Sequence, residues 1–114
     1  MENMRRREYL SQLELMVLLA ILRTRDAAYG VPIAREIERQ SRRDVSMAGI
    51  YDTLERLENK GLVTSRRGTP MPERGGKART YFAVTTAGLK DLRTTSETLS
   101  RLSAGLMELK VVTA

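Results

Sequence analysis

The chain contains no cysteine, no histidine and no tryptophan, and its 114 residues include only one phenylalanine and four tyrosines. The absence of cysteine excludes disulfides and thiolate metal sites. The absence of histidine removes the commonest general base and the commonest metal ligand. No Gly-rich phosphate loop follows a strand, and nothing marks a pair of carboxylates for hydrolysis. We therefore expect no metal, no cofactor and no enzymatic activity.

Long apolar runs are also missing from the sequence. The longest run, Leu15 to Leu22, has eight residues, whereas a membrane span needs about 18. The basic start MENMRRREYL is not followed by a small-residue cleavage site, so we expect no signal peptide. These features predict one cytoplasmic domain with an appended element, without membrane contact.

Positive charge is concentrated in one segment. The formal net charge is +6, from 20 Lys plus Arg against 14 Asp plus Glu. Between positions 66 and 79 a single acid, Glu73, accompanies five basic residues, namely Arg66, Arg67, Arg74, Lys77 and Arg79. Arginine carries a planar set of donors that suits phosphates and guanine edges. The local surplus therefore favours a polyanionic partner.

Apolar spacing predicts two helices in the first part of the chain. The first runs from Leu10 to Arg23, with Ser11 and Glu14 forming a capping box. Its apolar stripe is too wide for one face, so we expect it to be buried on most sides. Pro32 suits the first turn of a second helix that ends near position 40 or 41.

A third helix is delimited by Ser46 as N-cap and by Gly61 after its last turn. Apolar residues form one narrow face: Met47, Ile50, Leu54 and Leu57. The opposite side carries Ala48, Gly49, Asp52, Glu55, Arg56 and Asn59, with Tyr51 at the flank. Because these outward residues are small or polar near the N-terminus, this side can approach a partner closely.

The spacing changes to that of strands after Gly61. Residues 62–67 and 79–84 are β-like runs, and the Gly- and Pro-rich loop between them makes a long-tipped hairpin. A last helix then begins after Thr85 or Thr86. Its leucines form an a/d seam of nearly three heptads, which predicts a homodimer interface: Leu92, Leu99, Leu102, Leu106 and Leu109. The alternative is that this seam packs on its own domain.

This order of elements is typical of a winged helix-turn-helix. We expect a mainly α fold with a β-hairpin wing over residues 1–85, followed by a C-terminal dimerisation helix over residues 86–114. The third helix can enter the major groove of double-stranded DNA while the wing contacts phosphates. The predicted DNA-binding residues are Ser46, Ala48, Gly49, Tyr51, Asp52, Arg56, Arg66, Arg74, Lys77 and Arg79.

Simpler interpretations remain open for several of these residues. Tyr51 could pack its ring against the wing, and Arg56 could form a helix salt bridge with Asp52. The wing charges could belong to an ordinary solvated hairpin. The whole chain could also be a winged protein-interaction module without DNA binding, because a fold does not determine a function.

Five segments form a recognisable pattern when taken together: residues 13–22, residues 28–33 (Ala-Tyr-Gly-Val-Pro-Ile), residues 49–63 (with Tyr-x-x-Leu-x-x-Leu-x-x-Lys-Gly at its core), residues 75–82 and residues 84–88. In this order they resemble the PadR-like transcriptional regulators. The resemblance implies a homodimeric regulator, usually a repressor, that often responds to a small molecule. It also implies DNA contacts at Tyr51 and neighbouring positions, and backbone contacts in the wing. The single C-terminal helix resembles the shorter branch of the family. Because the chain has no tryptophan, a tryptophan-lined interface pocket is not implied.

An effector would act where it changes the spacing of two recognition helices. The candidate lining lies between the first helix and the partner's last helix, with Met16, Leu19 and Met107 as its members. Methionine adapts to varied shapes, which suits such a surface. The alternative is that these three residues are plain core or dimer contacts.

Overall fold

The structure is a computed structural model that describes residues 9–70, 75 and 78–106. Within these residues the elements follow in the predicted order, with a 3₁₀ turn at Arg25–Ala27 after the first helix. They are α1 (Gln12–Thr24), α2 (Gly30–Ser41), α3 (Met47–Asn59), β1 (Val63–Arg67), β2 (Thr80–Val84) and α4 (Thr86–Ser103). The predicted fold class, mainly helical with a β-hairpin wing, is confirmed.

Helix α1 begins with the predicted capping box. The Ser11 hydroxyl accepts a hydrogen bond from the Glu14 N–H at 3.2 Å, and the Glu14 carboxylate accepts one from the Ser11 N–H at 2.9 Å. As expected, α1 is buried or half-buried on most sides, and Leu19 and Leu22 are exposed on the remaining side. Its apolar stripe is wider than the surface that α2, α3 and the wing cover.

Helix α3 also has its predicted ends. The Ser46 hydroxyl accepts a hydrogen bond from the Gly49 N–H at 3.2 Å, which satisfies one of the free donors of the first turn. After the helix, Gly61 has a φ of +76°, a conformation that glycine adopts at little cost. The predicted apolar face is buried at Ile50, Leu54 and Leu57. The opposite face of α3 is therefore directed away from the core.

The two strands form the wing hairpin, with a register that runs from Val63 opposite Val84 to Arg67 opposite Thr80. The hairpin is attached to the segment before α2, because the Phe82 N–H donates to the Ala28 carbonyl at 2.8 Å. This bond brings the wing beside the start of α2.

The start of α4 is joined to the turn that follows α3. The Thr85 hydroxyl donates to the Gly61 carbonyl at 2.7 Å and accepts from the Gly88 N–H at 3.0 Å, while the Thr85 N–H donates to the Leu62 carbonyl at 3.0 Å. A Cβ atom on Gly88 would lie 2.1 Å from that Leu62 carbonyl oxygen. Glycine at this position is therefore what allows the two segments to approach.

One apolar core unites these elements. Its largest buried members come from α1, α2, α3 and the first strand, and Leu92 of α4 belongs to the same cluster. Its principal side chains are Val17, Leu18, Ile21, Ile33, Ile37, Ile50, Leu54, Leu57, Leu62 and Val63. The division into residues 1–85 and 86–114 stays a prediction, since α4 begins at the predicted place but shares this core. In the part of the chain that the structure describes, no helix has the length and apolarity to cross a membrane.

Candidate nucleic-acid interface

The outward face of α3 carries small and polar side chains near its N-terminus. Ser46, Ala48 and Asp52 are exposed, and Gly49 is half-buried. A Cβ atom on Gly49 would meet only the Ser46 side chain, at 3.7 Å. A large ligand surface can therefore approach the backbone of this turn closely. These predicted DNA contacts share one surface, and their role stays a prediction.

Tyr51 extends this face toward α2. Its side chain is 50% exposed, and its ring lies over Gly30, the first residue of α2. A Cβ atom on Gly30 would lie 2.1 Å from the Tyr51 hydroxyl oxygen. The ring thus packs on the start of α2 and leaves about half of its surface open to a ligand.

Arg56 does not form the alternative salt bridge with Asp52. Its Nε lies 3.5 Å from a Glu14 carboxylate oxygen, and its Nη2 donates to the Thr53 hydroxyl at 3.4 Å. Its predicted role in DNA binding stays a prediction. The buried carboxylate of Glu14 attracts the guanidinium more strongly than a solvated aspartate does. This orientation turns Arg56 toward α1, although its side chain remains 51% exposed.

Glu14 holds the end of α3 against α1. Its carboxylate is buried, and it accepts a hydrogen bond from the Lys60 ammonium at 2.8 Å. Burial opposes ionisation, but the hydrogen bonds from Lys60 and Ser11 outweigh it and lower the pKa of Glu14. The carboxylate therefore stays charged and holds the end of α3 in position.

Two arginines and two tyrosines stack at the root of the wing loop, where the two strands meet that loop. Arg66 and Tyr81 are cross-strand partners, and the Arg66 guanidinium carbon lies 4.7 Å from the centre of the Tyr81 ring. The Tyr81 and Tyr29 rings meet edge to face at 5.5 Å, and the Arg79 guanidinium carbon lies 4.3 Å from the centre of the Tyr29 ring. We call this arrangement of Arg66, Tyr81, Tyr29 and Arg79 the wing-root stack.

The sequence reasoning included the two arginines of the wing-root stack but missed both tyrosines. Strand alternation carries part of the signal, because Tyr81 lies two residues from Arg79 and so shares its face. Nothing local indicates Tyr29, which reaches the wing through the bond between Ala28 and Phe82. The predicted wing-tip residues Arg74 and Lys77 lie outside the described residues.

The leucine seam of α4 differs from the predicted heptad pattern. Leu92 is buried in the core of its own chain, together with Thr95, so Leu92 presents no surface to a partner. Leu99 and Leu102 are 50% and 69% exposed. The alternative, that the seam packs on its own domain, therefore applies to the first part of α4 and not to its second part.

The helix is also shorter than the seam requires. It ends at Ser103, followed by Gly105 with a φ of +78°. Leu106 is exposed but lies beyond the helical end, and Leu109 is outside the described residues. A continuous helical seam through Leu106 is therefore wrong, because the backbone leaves the helical conformation before that residue.

The candidate effector residues Met16 and Leu19 line a groove between α1 and α2, whereas Met107 lies outside the described residues. The other lining residues are Ala20, Arg23, Glu36, Ile37, Gln40 and Ser41. Hydrogen bonds from Gln40 and Arg39 lower the pKa of Glu36, so a negative charge lies in an otherwise mostly apolar groove.

A known family matches most of the chain. The family described as "Transcriptional regulator PadR-like family" matches residues 18–94, from the middle of α1 into α4. The chain belongs to the PadR-like family. The match spans α3 and the wing, and thereby the surface described above. No curated protein sequence matches the chain.

Solved PadR-like structures share the fold. A PadR family transcriptional regulator from Eggerthella lenta is 26% identical, with a TM-score of 0.64 and 83% of each chain covered. A transcriptional regulator from Clostridium thermocellum is 19% identical, with a TM-score of 0.69 and coverage of 87% of this chain and 90% of that one. A PadR-like regulator from Bacillus cereus is 22% identical, with a TM-score of 0.66 and coverage of 86% and 93%. At identities this low, the last two show the fold alone.

Membership of the PadR-like family confirms the predicted resemblance. It makes the chain a transcriptional regulator with DNA as its partner, and it confirms that the chain is not an enzyme. Within the described residues, no group of His, Cys, Asp or Glu could hold a metal ion.

Proposed function

We propose that the protein is a cytoplasmic homodimeric repressor that binds an inverted-repeat operator through α3 and the wing. The observation that carries this proposal is the continuity of the surface. The Tyr51 ring lies on Gly30, and the preceding residue, Tyr29, contacts Tyr81 of the wing. The outward face of α3 and the basic root of the wing are thus adjacent parts of one side of the molecule.

In this proposal, α3 lies in the major groove and the wing follows the backbone. Because Ala48 and Gly49 have small side chains, the helix backbone can come near base edges there. Ser46, Tyr51 and Asp52 lie beside them. Arg66 and Arg79 contact phosphates, and we assign the same role to Arg74 and Lys77. Arg56 contributes least, because its guanidinium is turned toward Glu14.

Residues 86–114 act as the dimerisation element in this proposal. Leu99, Leu102 and Leu106 are large apolar side chains left exposed, and Leu19 and Leu22 of α1 are exposed as well. A second copy that covers these side chains removes their apolar surface from water, which stabilises the pair. Two copies related by a two-fold axis then present two α3 helices to half-sites about 34–36 Å apart.

A small-molecule effector would bind in the groove lined by Met16 and Leu19. A ligand there can change DNA affinity only by as much as it prefers one arrangement of the dimer. A Leu19→Trp variant reports on the groove, because the chain has no other tryptophan. An effector of this site changes the fluorescence and releases DNA together, whereas release of DNA without a fluorescence change assigns the effector to another site.

Binding to labelled double-stranded DNA at increasing salt tests the DNA-binding part of the proposal. We expect affinity to fall steeply with salt, with a slope of about −0.9 per phosphate contact. The control is the Ala48→Glu variant, whose carboxylate faces the groove and should abolish specific binding. A wild-type protein without duplex affinity at low salt would instead be a protein-interaction module.

Repression requires a separate measurement. A reporter gene placed behind a binding site selected from a random-sequence library should be transcribed less when the wild-type protein is present. The Ala48→Glu variant should leave the reporter unchanged. Higher transcription with the wild-type protein would identify an activator.

A further inference from the structure

The wing-root stack holds two guanidinium groups against aromatic rings. We propose that the Tyr29 and Tyr81 rings are positioning residues, which hold the Arg79 and Arg66 guanidiniums toward phosphates of the DNA backbone where one strand passes between α3 and the wing. The inference rests on the proposed function, which already assigns phosphate contact to the two arginines.

Neither guanidinium has a hydrogen-bond or ion-pair partner in the described part of the chain. Within the described residues, the side chains of Arg66 and Arg79 donate no hydrogen bond and form no ion pair, and the Nε of Arg79 is buried without a partner. Arg39 and Arg56 differ, because each faces a glutamate, Glu36 and Glu14 respectively. Arg66 is exposed and Arg79 is half-buried, so the donors of the stacked pair other than the Arg79 Nε are available to an anion from outside.

Stacking on a ring orients these arginines so that they can bind a phosphate. A guanidinium that lies over a tyrosine ring uses its flat face for the cation–π contact and keeps its N–H donors at the edge. Those donors match the oxygens of a phosphate in a bidentate arrangement. Because the ring already restricts the long side chain, less conformational entropy is lost when the phosphate binds.

The position of the stack determines which phosphates it meets. Tyr29 is followed by Gly30, on which the Tyr51 ring of α3 lies, and Tyr81 is on the wing strand. A duplex that receives α3 in its major groove and the wing beside it must pass one strand across this point. A groove there is lined by both arginines and Tyr81, together with Asp26, Gly68 and Thr69. Two guanidiniums against one carboxylate leave the groove positive.

The test uses charge-removing variants and a matched control. Arg66→Gln and Arg79→Gln each remove one guanidinium of the stack, and Arg93→Gln removes one exposed guanidinium from α4. Because a homodimer carries each substitution twice, each stack variant should lower the salt slope by about 1.8, or about 0.9 per contact, and the affinity about sixtyfold at 0.1 M salt. The control should match the wild type, and unfolding curves should show that all three variants fold.

A second measurement locates the contact. Phosphates of a duplex selected by the wild-type protein are replaced one at a time by neutral methylphosphonate. The wild type should lose about eightfold in affinity at the phosphate that Arg79 binds, whereas Arg79→Gln should lose nothing further there. Tyr29→Leu should reduce this loss, and Tyr29→Phe, which keeps the ring, should retain it.

Two outcomes overturn the inference. If the wild type binds duplex and the variants Arg66→Gln, Arg79→Gln and Arg93→Gln all keep its salt slope, the stack binds no phosphate, although the proposed function stands. If the wild type itself has no duplex affinity at low salt, the proposed function and this inference both fail.

Discussion

The Lys60 ammonium donates a hydrogen bond of 2.8 Å to the Glu14 carboxylate, and this contact joins the C-terminal end of α3 to the first turn of α1. The same carboxylate accepts the Ser11 N–H and lies 3.5 Å from the Arg56 Nε. One buried acid therefore both caps α1 and ties the end of α3 to it.

Replacing Glu14 should destabilise the fold. In Glu14→Ala, the capping bond and the bond from Lys60 are lost together, which should lower the free energy of unfolding by about 2–4 kcal/mol. Glu14→Gln keeps an oxygen for the Ser11 N–H and should lose about half of that. Urea unfolding followed by circular dichroism measures both, and equal losses in the two variants would contradict a separate contribution from the capping bond.

The contribution of Glu14 should also depend on pH. Its pKa is lowered in the folded protein, so the stabilisation is present above the unfolded pKa, about 4.3, and is lost as the pH falls through the lower, folded value. The difference in stability between the wild type and Glu14→Gln should therefore be constant near neutral pH and shrink in acid below that range. A difference that stays the same at pH 7 and pH 3 would rule out this linkage.

Replacing Gly88 and Gly49 by alanine should have opposite effects on the stability of the fold. A Cβ on Gly88 would lie 2.1 Å from the Leu62 carbonyl oxygen, a backbone atom, so Gly88→Ala should cost about 1–3 kcal/mol or more from overpacking. Gly49 has room, and alanine there should raise stability by about 0.5–1 kcal/mol through helix propensity. Thermal unfolding measures both changes. Duplex affinity that Gly49→Ala leaves unchanged would argue against close contact of this turn with DNA.

The exposed leucines of α4 should control assembly. In a dimer that buries them, Leu99→Lys with Leu102→Lys would place charges in an apolar contact, at several kcal/mol for each uncompensated ion. Sedimentation should then show monomers at micromolar concentration. The matched control carries Ala87→Lys and Ser100→Lys at exposed positions of the same helix and should remain dimeric. A Leu99→Lys/Leu102→Lys protein that stays dimeric would show that α4 is not the interface.

Local signals were enough to predict the elements. Ser46 and Gly61 delimit α3 because capping and a positive φ depend on the residues at the helix ends. The change from helical to strand spacing indicated the wing for the same reason. The PadR-like segments added the function, which no periodicity carries.

Relations between elements could not be read from the sequence. Periodicity placed Leu92 and Leu99 on one seam, but it could not show that Leu92 packs into the core while Leu99 is exposed. The pairing of Glu14 with Lys60 and the contact of Tyr29 with Tyr81 likewise depend on how distant segments meet. Side chains brought together by tertiary packing leave no local pattern.

The joint at Thr85 has a mechanical consequence. Its hydroxyl and N–H bond to the turn after α3, and Gly88 lies against the Leu62 carbonyl, so no slack linker separates α3 from α4. A rotation of α4 would therefore move α3 with it. For a two-fold pair of chains, the crossing angle of the two α4 helices then determines the distance between the two α3 helices. In the proposed homodimer, the spacing of the operator half-sites is therefore a measurable readout of how the two α4 helices cross.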